Sequence, residues 1–202
     1  QRFIDPNIIS HFAKQHTLYE DKEHHNAVFV GVDENGVPRQ AHKRSTNSFG
    51  NAFRITCEGS DTRYSFSHFG KSEKLFVFEA PIDLLSHGAL MQLSMRKQCS
   101  AIGQGDKYRP DCWLGVNRVS LSGCSDIALK QRLSDDPRIT QIVFCLDNDE
   151  TGQQATEKLM NKYSQQYTVS VSIPPYGKDW NDTLKAVVSA HSKQTDKTKT
   201  EE

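Results

Sequence analysis

Short apolar runs alternate with amphipathic stretches along the 202 residues of this chain. Residues 75–78 are four consecutive apolar residues, three of them aromatic or β-branched, which predicts a buried strand. The carboxylate of Glu79 stands where this run ends, and Pro81 suits the first turn of a helix. Apolar residues then recur at steps of three and four from Ile82 to Leu93, so the predicted helix has one apolar face.

The same order of strand, acid and helix occurs a second time. Residues 141–146 form another apolar run, and Asp147-Asn148-Asp149 follows it directly, before a helix with apolar positions at steps of four. Ligands of open α/β sheets bind outside the carboxyl ends of the strands, so we expect Glu79, Asp147 and Asp149 to share one edge of a sheet. Such an oxygen-lined site suits Mg²⁺, which binds through a few carboxylates.

The pattern before residue 70 differs from the pattern after it. Alternating apolar runs separated by turn signals predict a small α+β domain with an antiparallel sheet in residues 1–70. The predicted elements are a helix at residues 6–14 and strands at residues 26–32, 37–43, 51–57 and 63–69, the last two forming a pair. From residue 71 to residue 190 strands and helices alternate, which predicts an α/β domain with a parallel sheet.

Two further segments lack a periodic apolar pattern. Residues 96–117 contain glycine, proline and many polar residues, which predicts a long surface insertion. Residues 191–202 have no apolar content, which predicts a disordered tail. The first residue is Gln1 rather than methionine, which leaves open that the sequence is a piece of a longer protein.

Composition and charge narrow the function. The formal net charge is zero, which argues against a dedicated non-specific DNA-binding protein but leaves room for a local basic patch. Four arginines of the predicted N-terminal domain fit such a patch: Arg39, Arg44, Arg54 and Arg63. Two interpretations stay open, a solvated sheet face and a surface that contacts phosphate groups.

Cysteine usage and hydropathy bear on the compartment. The five cysteines are scattered and form no Cys-x-x-Cys pair, which favours a reduced, cytoplasmic protein. No apolar run approaches the length needed to span a membrane, so we expect no membrane partner.

The acidic triplet at residues 147–149 could also be structural or bind a different ion. It could be an ordinary turn, because Asp and Asn side chains stabilise turns. A calcium loop of the EF-hand type does not fit, because position twelve is Lys158 and a predicted strand precedes the triplet. A third acidic cluster, at Asp179 and Asp182, again follows a predicted strand, which weakens the interpretation as a plain turn.

Four motifs in a fixed order resemble a known family. They are Phe-Glu-Ala-Pro-Ile-Asp at 78–83, Ser-Leu-Ser-Gly at 120–123, Leu-Asp-Asn-Asp-Glu-Thr-Gly at 146–152 and Lys-Asp-Trp-Asn-Asp at 178–182. This order resembles the Toprim domain shared by bacterial primases, topoisomerases and some nucleases. It is most similar to Toprim-like proteins of plasmids and other mobile elements, in which a small domain of unassigned role often comes first.

The resemblance implies a fold and a set of site residues. The fold would be a compact sheet of about four parallel strands flanked by helices, and the cofactor would be Mg²⁺, with Mn²⁺ as a substitute. Glu79 matches the family's glutamate, to which general acid or base work is often assigned. Asp147 and Asp149 match its metal-binding pair, and Asp179, alone or together with Asp182, matches its late acidic motif.

Other side chains receive weaker assignments from the residues themselves. Lys178 is a candidate phosphate contact, with a plain surface lysine as the alternative. Trp180 is more often a core anchor than a platform for base stacking. Glu79 follows a buried strand, so we expect its carboxyl group to ionise less readily than those of Asp147 and Asp149, which would have a turn and water around them.

These observations lead to one leading function and two rivals. The leading function is Mg²⁺-dependent, primase-like nucleotidyl transfer in the replication or transfer of a mobile element. Its partners would be DNA or RNA, nucleotides, and other domains or replication proteins. A Toprim nuclease would use the same acids to hydrolyse phosphodiester bonds, and a non-catalytic nucleic-acid-binding module would keep them as a structural metal site.

Overall fold

A computed structural model describes residues 2–46 and 53–199 of the chain, with the backbone alone for residues 191–199. The N-terminal part contains α1 (Pro6–Lys14), β1 (Leu18–Glu20), β2 (Ala27–Val32), β3 (Pro38–Arg44) and β4 (Arg54–Thr56). These four strands form an antiparallel sheet in the order β1-β2-β3-β4. Asp5 caps the first helix by accepting a hydrogen bond from the Asn7 N–H at 2.8 Å. An α+β unit with an antiparallel sheet is therefore confirmed for this part of the chain.

The rest of the chain alternates strands and helices. Its elements are β5 (Ser67–His68), β6 (Lys74–Phe78), α2 (Pro81–Ala101), two 3₁₀ turns (Gly105–Lys107 and Cys112–Gly115), β7 (Asn117–Ser120), α3 (Ile127–Asp135), β8 (Gln141–Cys145), α4 (Glu150–Tyr163), β9 (Thr168–Val171) and α5 (Trp180–Lys199). The strand order is β5-β7-β6-β8-β9, with only β5 antiparallel to its neighbour. Four parallel strands flanked by helices confirm the predicted fold class.

The predicted pairing of residues 51–57 with residues 63–69 is wrong. Strand β4 pairs with β3, whereas β5 leaves the first sheet and pairs with β7 in the second. Residues 51 and 52 of the predicted strand lie outside the described residues. A strand as short as β5 carries almost no periodic signal, and the partner that orders it lies about fifty residues further along the chain.

Two clusters of buried side chains cover the two faces of the parallel sheet. Alternate residues of β6 point to opposite faces, so Phe78 joins one cluster and Val77 joins the other. The cluster around Phe78 also contains Phe12 of α1 and Phe29 of β2, together with side chains of α2 and α5. The N-terminal unit and the parallel sheet therefore share one hydrophobic core.

The prediction that residues 96–117 form a surface insertion is wrong for the end of the segment, which is buried, while the beginning is exposed but helical. Helix α2 continues through Ala101, and Trp113 is 3% exposed. The guanidinium of the fully buried Arg118 donates to the carbonyl oxygens of Trp113, at 2.7 Å, and Val116, at 3.1 Å. Hydrogen bonds to a side chain inside the core thus hold the end of this segment in place.

The last helix extends into the segment predicted to be disordered. The backbone of residues 191–199 continues α5, while residues 200–202 of the predicted tail lie outside the described residues. No helix in the described part of the chain combines the length and apolar character that crossing a membrane requires.

Candidate active site at the carboxyl edge of the parallel sheet

Glu79 lies at the end of the central strand of the parallel sheet. It directly follows β6, which pairs with β7 on one side and β8 on the other. The residue is 8% exposed, and its Oε2 atom is buried without a hydrogen-bond partner among the residues that the structure describes. Burial and then the nearby charge of Glu79 raise the pKa of the Cys124 thiol to about 11, so this thiol stays protonated.

Asp147 and Asp149 follow the neighbouring strand β8. The Asp147 side chain is 12% exposed and the Asp149 side chain is 36% exposed. Asp149 caps helix α4, because its Oδ1 accepts a hydrogen bond from the Gly152 N–H at 2.8 Å. A Cβ atom at position 152 would lie 2.1 Å from the Asp147 carbonyl oxygen, so only glycine allows this tight return of the chain.

Lys178 lies between the two aspartates. Its Nζ atom is 2.7 Å from Asp149 Oδ2 and 3.5 Å from Asp147 Oδ2. The Asn148 N–H also donates to the Lys178 carbonyl oxygen at 2.7 Å, which joins the loop after β9 to the loop after β8. The lysine is therefore part of the acidic site, with its charge turned towards the aspartates.

The two aspartates ionise differently. Burial, followed by repulsion from Glu79, raises the pKa of Asp147 to about 6. Hydrogen bonds from Lys178 and from the Gly152 N–H lower the pKa of Asp149 below its usual value. The sequence predicts a turn and water around both aspartates, and this prediction is wrong for Asp147. Its side chain lies at the end of β8 and is 12% exposed, whereas Asp149, at the capping position, is 36% exposed.

The structure adds Asp83, which the sequence motifs did not assign to the site. Asp83 lies in the first turn of α2 and is 3% exposed. Its pKa is raised to about 8, chiefly by burial and then by repulsion from Asp179 and Asp147. The sequence carries one signal for this residue, because Asp83 is the last residue of the Phe-Glu-Ala-Pro-Ile-Asp motif that begins with Phe78 and Glu79.

Asp179 and Asp182 shape the start of α5. Asp179 Oδ1 accepts a hydrogen bond from the Asp182 N–H at 2.7 Å, while Asp182 pairs with Lys185 at 3.1 Å. Asp179 is close enough to Asp83 and Asp147 to influence the pKa of each carboxyl group. Asp179 thus belongs to the acidic cluster, whereas the carboxylate of Asp182 is engaged locally.

Trp180 fixes α5 to the edge of the sheet. Its ring is 6% exposed, and its indole N–H donates to the carbonyl oxygen of Cys145, the last residue of β8, at 3.0 Å. The structure therefore places Trp180 as a core anchor beneath the acidic cluster.

The four predicted arginines do not form a single patch. Arg39 pairs with Asp33 at 2.7 Å. Arg63 pairs with Asp61 at 2.6 Å. Arg44 and Arg54 instead lie opposite each other on β3 and β4.

Arg44 is close enough to the acidic cluster for its charge to be affected by Asp83 and Asp179. Burial and the neighbouring Arg2 lower the pKa of Arg44, whereas the charges of Asp83 and Asp179 raise it. The first sheet therefore brings positive charge to the same cleft that the parallel sheet lines with carboxylates.

The residues present fit a divalent cation by their donor chemistry. Glu79 Oε2 is a buried oxygen without a hydrogen-bond partner in the described part of the chain, and the Asp147 carboxylate, in a side chain that is 12% exposed, lies 3.5 Å from Lys178 Nζ. Hard oxygen donors of this kind suit Mg²⁺. Among the described residues no group of three or more acidic, histidine or cysteine side chains is already arranged to hold an ion.

Two known protein families match most of the chain. Residues 76–184 match the family described as Toprim-like, and residues 1–72 match a family described as a protein of unknown function (DUF3991). The first of these matches spans more than half of the chain, so the chain belongs to the Toprim-like family. A search of curated proteins found no match.

Solved structures share the fold over nearly the whole chain. The primase fragment of the bacteriophage T7 primase-helicase protein has a TM-score of 0.59 at 20% identity, covering 97% of this chain and 71% of that one. The Aquifex aeolicus primase zinc-binding and RNA polymerase domains give a TM-score of 0.57 at 13% identity, covering 96% and 52%. The E. coli primase catalytic core gives 0.54 at 10% identity, covering 92% and 66%. Because the likeness extends across both parts of the chain, the N-terminal unit and the Toprim-like part together form this fold.

Proposed function

We propose that this chain is a Mg²⁺-dependent, primase-like nucleotidyl transferase that acts on DNA or RNA in the replication or transfer of a mobile element. The observation that carries the proposal is the convergence of Glu79, Asp83, Asp147 and Asp179 at one sheet edge, where their charges affect one another. Ionised carboxylates held this close repel one another, and a bound cation would offset that repulsion. Phosphoryl transfer uses metal ions that are held by acidic side chains in this way. Membership of the Toprim-like family and the fold shared with primase fragments support the same class.

Asp147, Asp149 and Asp179 are the residues that we propose to hold Mg²⁺, with Glu79 beside them. When bound, the ion would neutralise charge on phosphate oxygens. Lys178 is already held at the aspartates by ion pairs, so its ammonium group is the protein cation best placed to contact a substrate phosphate.

Glu79 is proposed as the acid or base group. Its unpartnered Oε2 atom can accept a proton from an attacking hydroxyl group without first losing a hydrogen bond. The protonated Cys124 thiol, whose pKa is raised by burial and by the charge of Glu79, is the proposed donor that would keep this carboxylate oriented.

The two parts of the chain would divide the work. Residues 71–190 form the proposed catalytic domain, and residues 1–70 form an accessory domain that contacts nucleic acid. Arg44 and Arg54 are the favoured contacts, because no carboxylate in the described part of the chain forms an ion pair with either of them, whereas Arg39 and Arg63 are each paired with an aspartate.

A template assay tests the proposed reaction. The chain is incubated with labelled single-stranded DNA, nucleoside triphosphates and Mg²⁺, and we expect extended primer products. Shortened DNA strands without primer synthesis would show that the chain is a nuclease. A stable complex with the DNA, without either product, would show that it is a binding module.

The substitution Glu79→Gln tests the role of the glutamate. We expect loss of primer synthesis with metal affinity and thermal midpoint largely preserved, because the amide keeps the shape but cannot take up a proton. Calorimetric Mn²⁺ titration beside the template assay provides the measurement. Retained synthesis would remove Glu79 from catalysis, and a loss of metal affinity as large as that of Asp147→Asn would make it a ligand instead.

A further inference from the structure

A cavity opens between helix α4 and the end of β9, beside the acidic cluster. Its volume is about 370 Å³, and four of the side chains that line it are apolar. Leu146 directly follows β8, and Met160 belongs to α4. Val171 is the last residue of β9, and Ile173 lies two residues further on. An apolar space therefore lies at the carboxyl edge of the parallel sheet, where the acids are.

Two of these wall residues are exposed to solvent. Val171 is 43% exposed and Ile173 is 59% exposed. Strand β9 is the outermost strand of its sheet, so no further strand of the described chain lies beside them. Apolar side chains that are exposed singly are ordinary, whereas those grouped at the mouth of a cavity mark a site for a ligand. The exposed pair therefore indicates that something apolar enters this cavity.

The cavity reaches the acidic cluster. Asp147 is one of the residues that line it, and the same carboxylate lies 3.5 Å from Lys178 Nζ. Asn148 also lines the cavity, and its N–H donates to the Lys178 carbonyl oxygen at 2.7 Å. A ligand whose phosphate groups are held at the acidic cluster therefore has an apolar space directly beside it.

Two amide side chains add polar groups to the wall of the cavity. Gln153 Nε2 donates to Asn148 Oδ1 at 3.0 Å, and both residues line the cavity. This bond uses one group of each amide and leaves the Gln153 carbonyl oxygen and the Asn148 amino group for a ligand. An acceptor and a donor on two linked side chains match the polar edge of a nucleobase, which carries both kinds of group.

We propose that this cavity binds the base of a free nucleoside triphosphate whose phosphate groups lie at the acidic cluster. The inference rests on the proposed function, because it locates the nucleotide that the reaction would consume. The cavity volume is near the low end of the range for ligand sites, which fits one base rather than a run of stacked bases. A free nucleotide is therefore a better match than a strand.

Calorimetric titration of the whole chain with ATP, in the presence of Mg²⁺ and without DNA, tests the site. We expect Ile173→Ala to weaken ATP binding about fivefold, because the base loses part of its apolar contact. Ile102→Ala is the matched control, since Ile102 is also exposed, at 66%, and lies at the end of α2. This control should bind ATP like the unaltered chain. No measurable ATP binding, or equal binding by the two variants, would overturn the proposal.

Filling the cavity provides a second test. Thr156 lines the cavity from α4, and its hydroxyl group donates to the Gly152 carbonyl oxygen at 2.8 Å. We expect Thr156→Leu to weaken ATP binding at least about tenfold, because the larger side chain occupies the space for the base. Gln154→Leu adds the same side chain to α4 at a different cavity, and it should leave ATP binding unchanged. Unchanged ATP binding by Thr156→Leu would overturn the proposal.

Other ligands separate the base from the rest of the nucleotide. Inorganic triphosphate lacks a base, so Ile173→Ala should leave its affinity for the chain unchanged. An equal loss of affinity for triphosphate and for ATP would overturn the base site, because the variant would then act at the phosphate groups. An Ile173 dependence seen only with a single-stranded oligonucleotide would assign the cavity to a strand and overturn the free nucleotide.

Two outcomes distinguish this inference from the proposed reaction. ATP binding that depends on Ile173, without primer synthesis in the template assay, would leave the base site standing while the proposed reaction fails. Primer synthesis whose dependence on ATP concentration is the same in Ile173→Ala as in the unaltered chain would leave the reaction standing and overturn the base site.

Discussion

At the scale of single residues, the predicted acids have different surroundings. Asp147 is partly buried, is repelled by the charge of Glu79 and has a raised pKa. Asp149 is more exposed, caps a helix and has a lowered pKa. Asp147 should therefore gain more from a bound cation than Asp149, because it starts with more uncompensated repulsion.

The first prediction concerns metal affinity at these two positions. We expect Asp147→Asn to weaken Mn²⁺ binding at least about tenfold, since one full ligand charge is lost, and Asp149→Asn to weaken it less. Isothermal titration calorimetry measures both affinities, with Asp61→Asn as a control for the loss of one acid outside the cleft. Unaltered binding in the Asp147→Asn, Asp149→Asn double variant would place the metal elsewhere.

At the scale of elements, each functional side chain depends on how a strand or helix ends. The turn between β8 and α4 is tight because Asp149 caps the helix and Gly152 packs on the Asp147 backbone. Trp180 fixes the start of α5 to the last residue of β8. The positions of Asp147 and Asp179 are therefore set by backbone contacts between elements.

The second prediction tests this turn. We expect Gly152→Ala to destabilise the fold by about 1–3 kcal/mol, because the new methyl group would collide with the Asp147 carbonyl oxygen and the backbone must move. Mn²⁺ affinity should fall together with the free energy of unfolding in urea.

Gly105→Ala is the control for this change. A Cβ atom at position 105 meets nothing within 4 Å, so its unfolding curve should match that of the unaltered chain. If Gly152→Ala and Gly105→Ala were equally stable, the turn after β8 would tolerate the methyl group and the prediction would be wrong.

At the scale of the whole molecule, the two parts of the chain share a core, and that core contains neutral histidines. His68 Nε2 donates to the Leu114 carbonyl oxygen at 2.9 Å. Burial lowers the pKa of His68 to about 4. Burial and the Arg118 guanidinium lower the pKa of His87 to about 3. The folded chain therefore resists proton uptake that the unfolded chain accepts.

The third prediction is a loss of stability in weak acid. The unfolded histidines take up protons below about pH 6.5, whereas folded His68 does so only near pH 4. The free energy of unfolding should therefore fall as the pH drops from about 6.5 to about 4, by up to ~3 kcal/mol for His68.

Urea unfolding at several pH values checks this slope. His68→Gln keeps an N–H donor for Leu114 but does not titrate, so its slope should be shallower. The exposed His24→Gln should retain the full slope, and parallel curves for both variants would contradict the assignment to His68.

The fourth prediction concerns the arginines of the first sheet. Arg44 and Arg54 lie opposite each other on neighbouring strands, whereas Arg39 and Arg63 are paired with aspartates. We expect neutralising Arg44 and Arg54 to reduce the salt slope of oligonucleotide binding by about two, one for each phosphate contact. Neutralising Arg39 and Arg63 should leave the slope unchanged, and the opposite ranking would assign nucleic-acid contact to the paired arginines.

Local patterns in the sequence are enough to predict the fold class and to bring Glu79 and Asp147 to one edge of the sheet, but they do not assign Asp83 to it. Strand β6 and helix α2 follow from an apolar run, a proline and helical periodicity, which are local signals. Glu79 and Asp147 could be placed together because parallel strands bring their carboxyl ends to one edge. Each of these inferences needs only the residues within one element and one rule of topology.

What surrounds those acids depends on contacts between distant parts of the chain. The pairing of β5 with β7, the approach of Asp83 to Asp179, and the position of Arg44 opposite them all join residues far apart in the chain. Burial and charge at a site are sums over such distant neighbours, and no local pattern encodes them. For this reason the carboxylates could be identified from the sequence, whereas the fold set the different ionisation of Asp147 and Asp149 and brought Arg44 to the cleft.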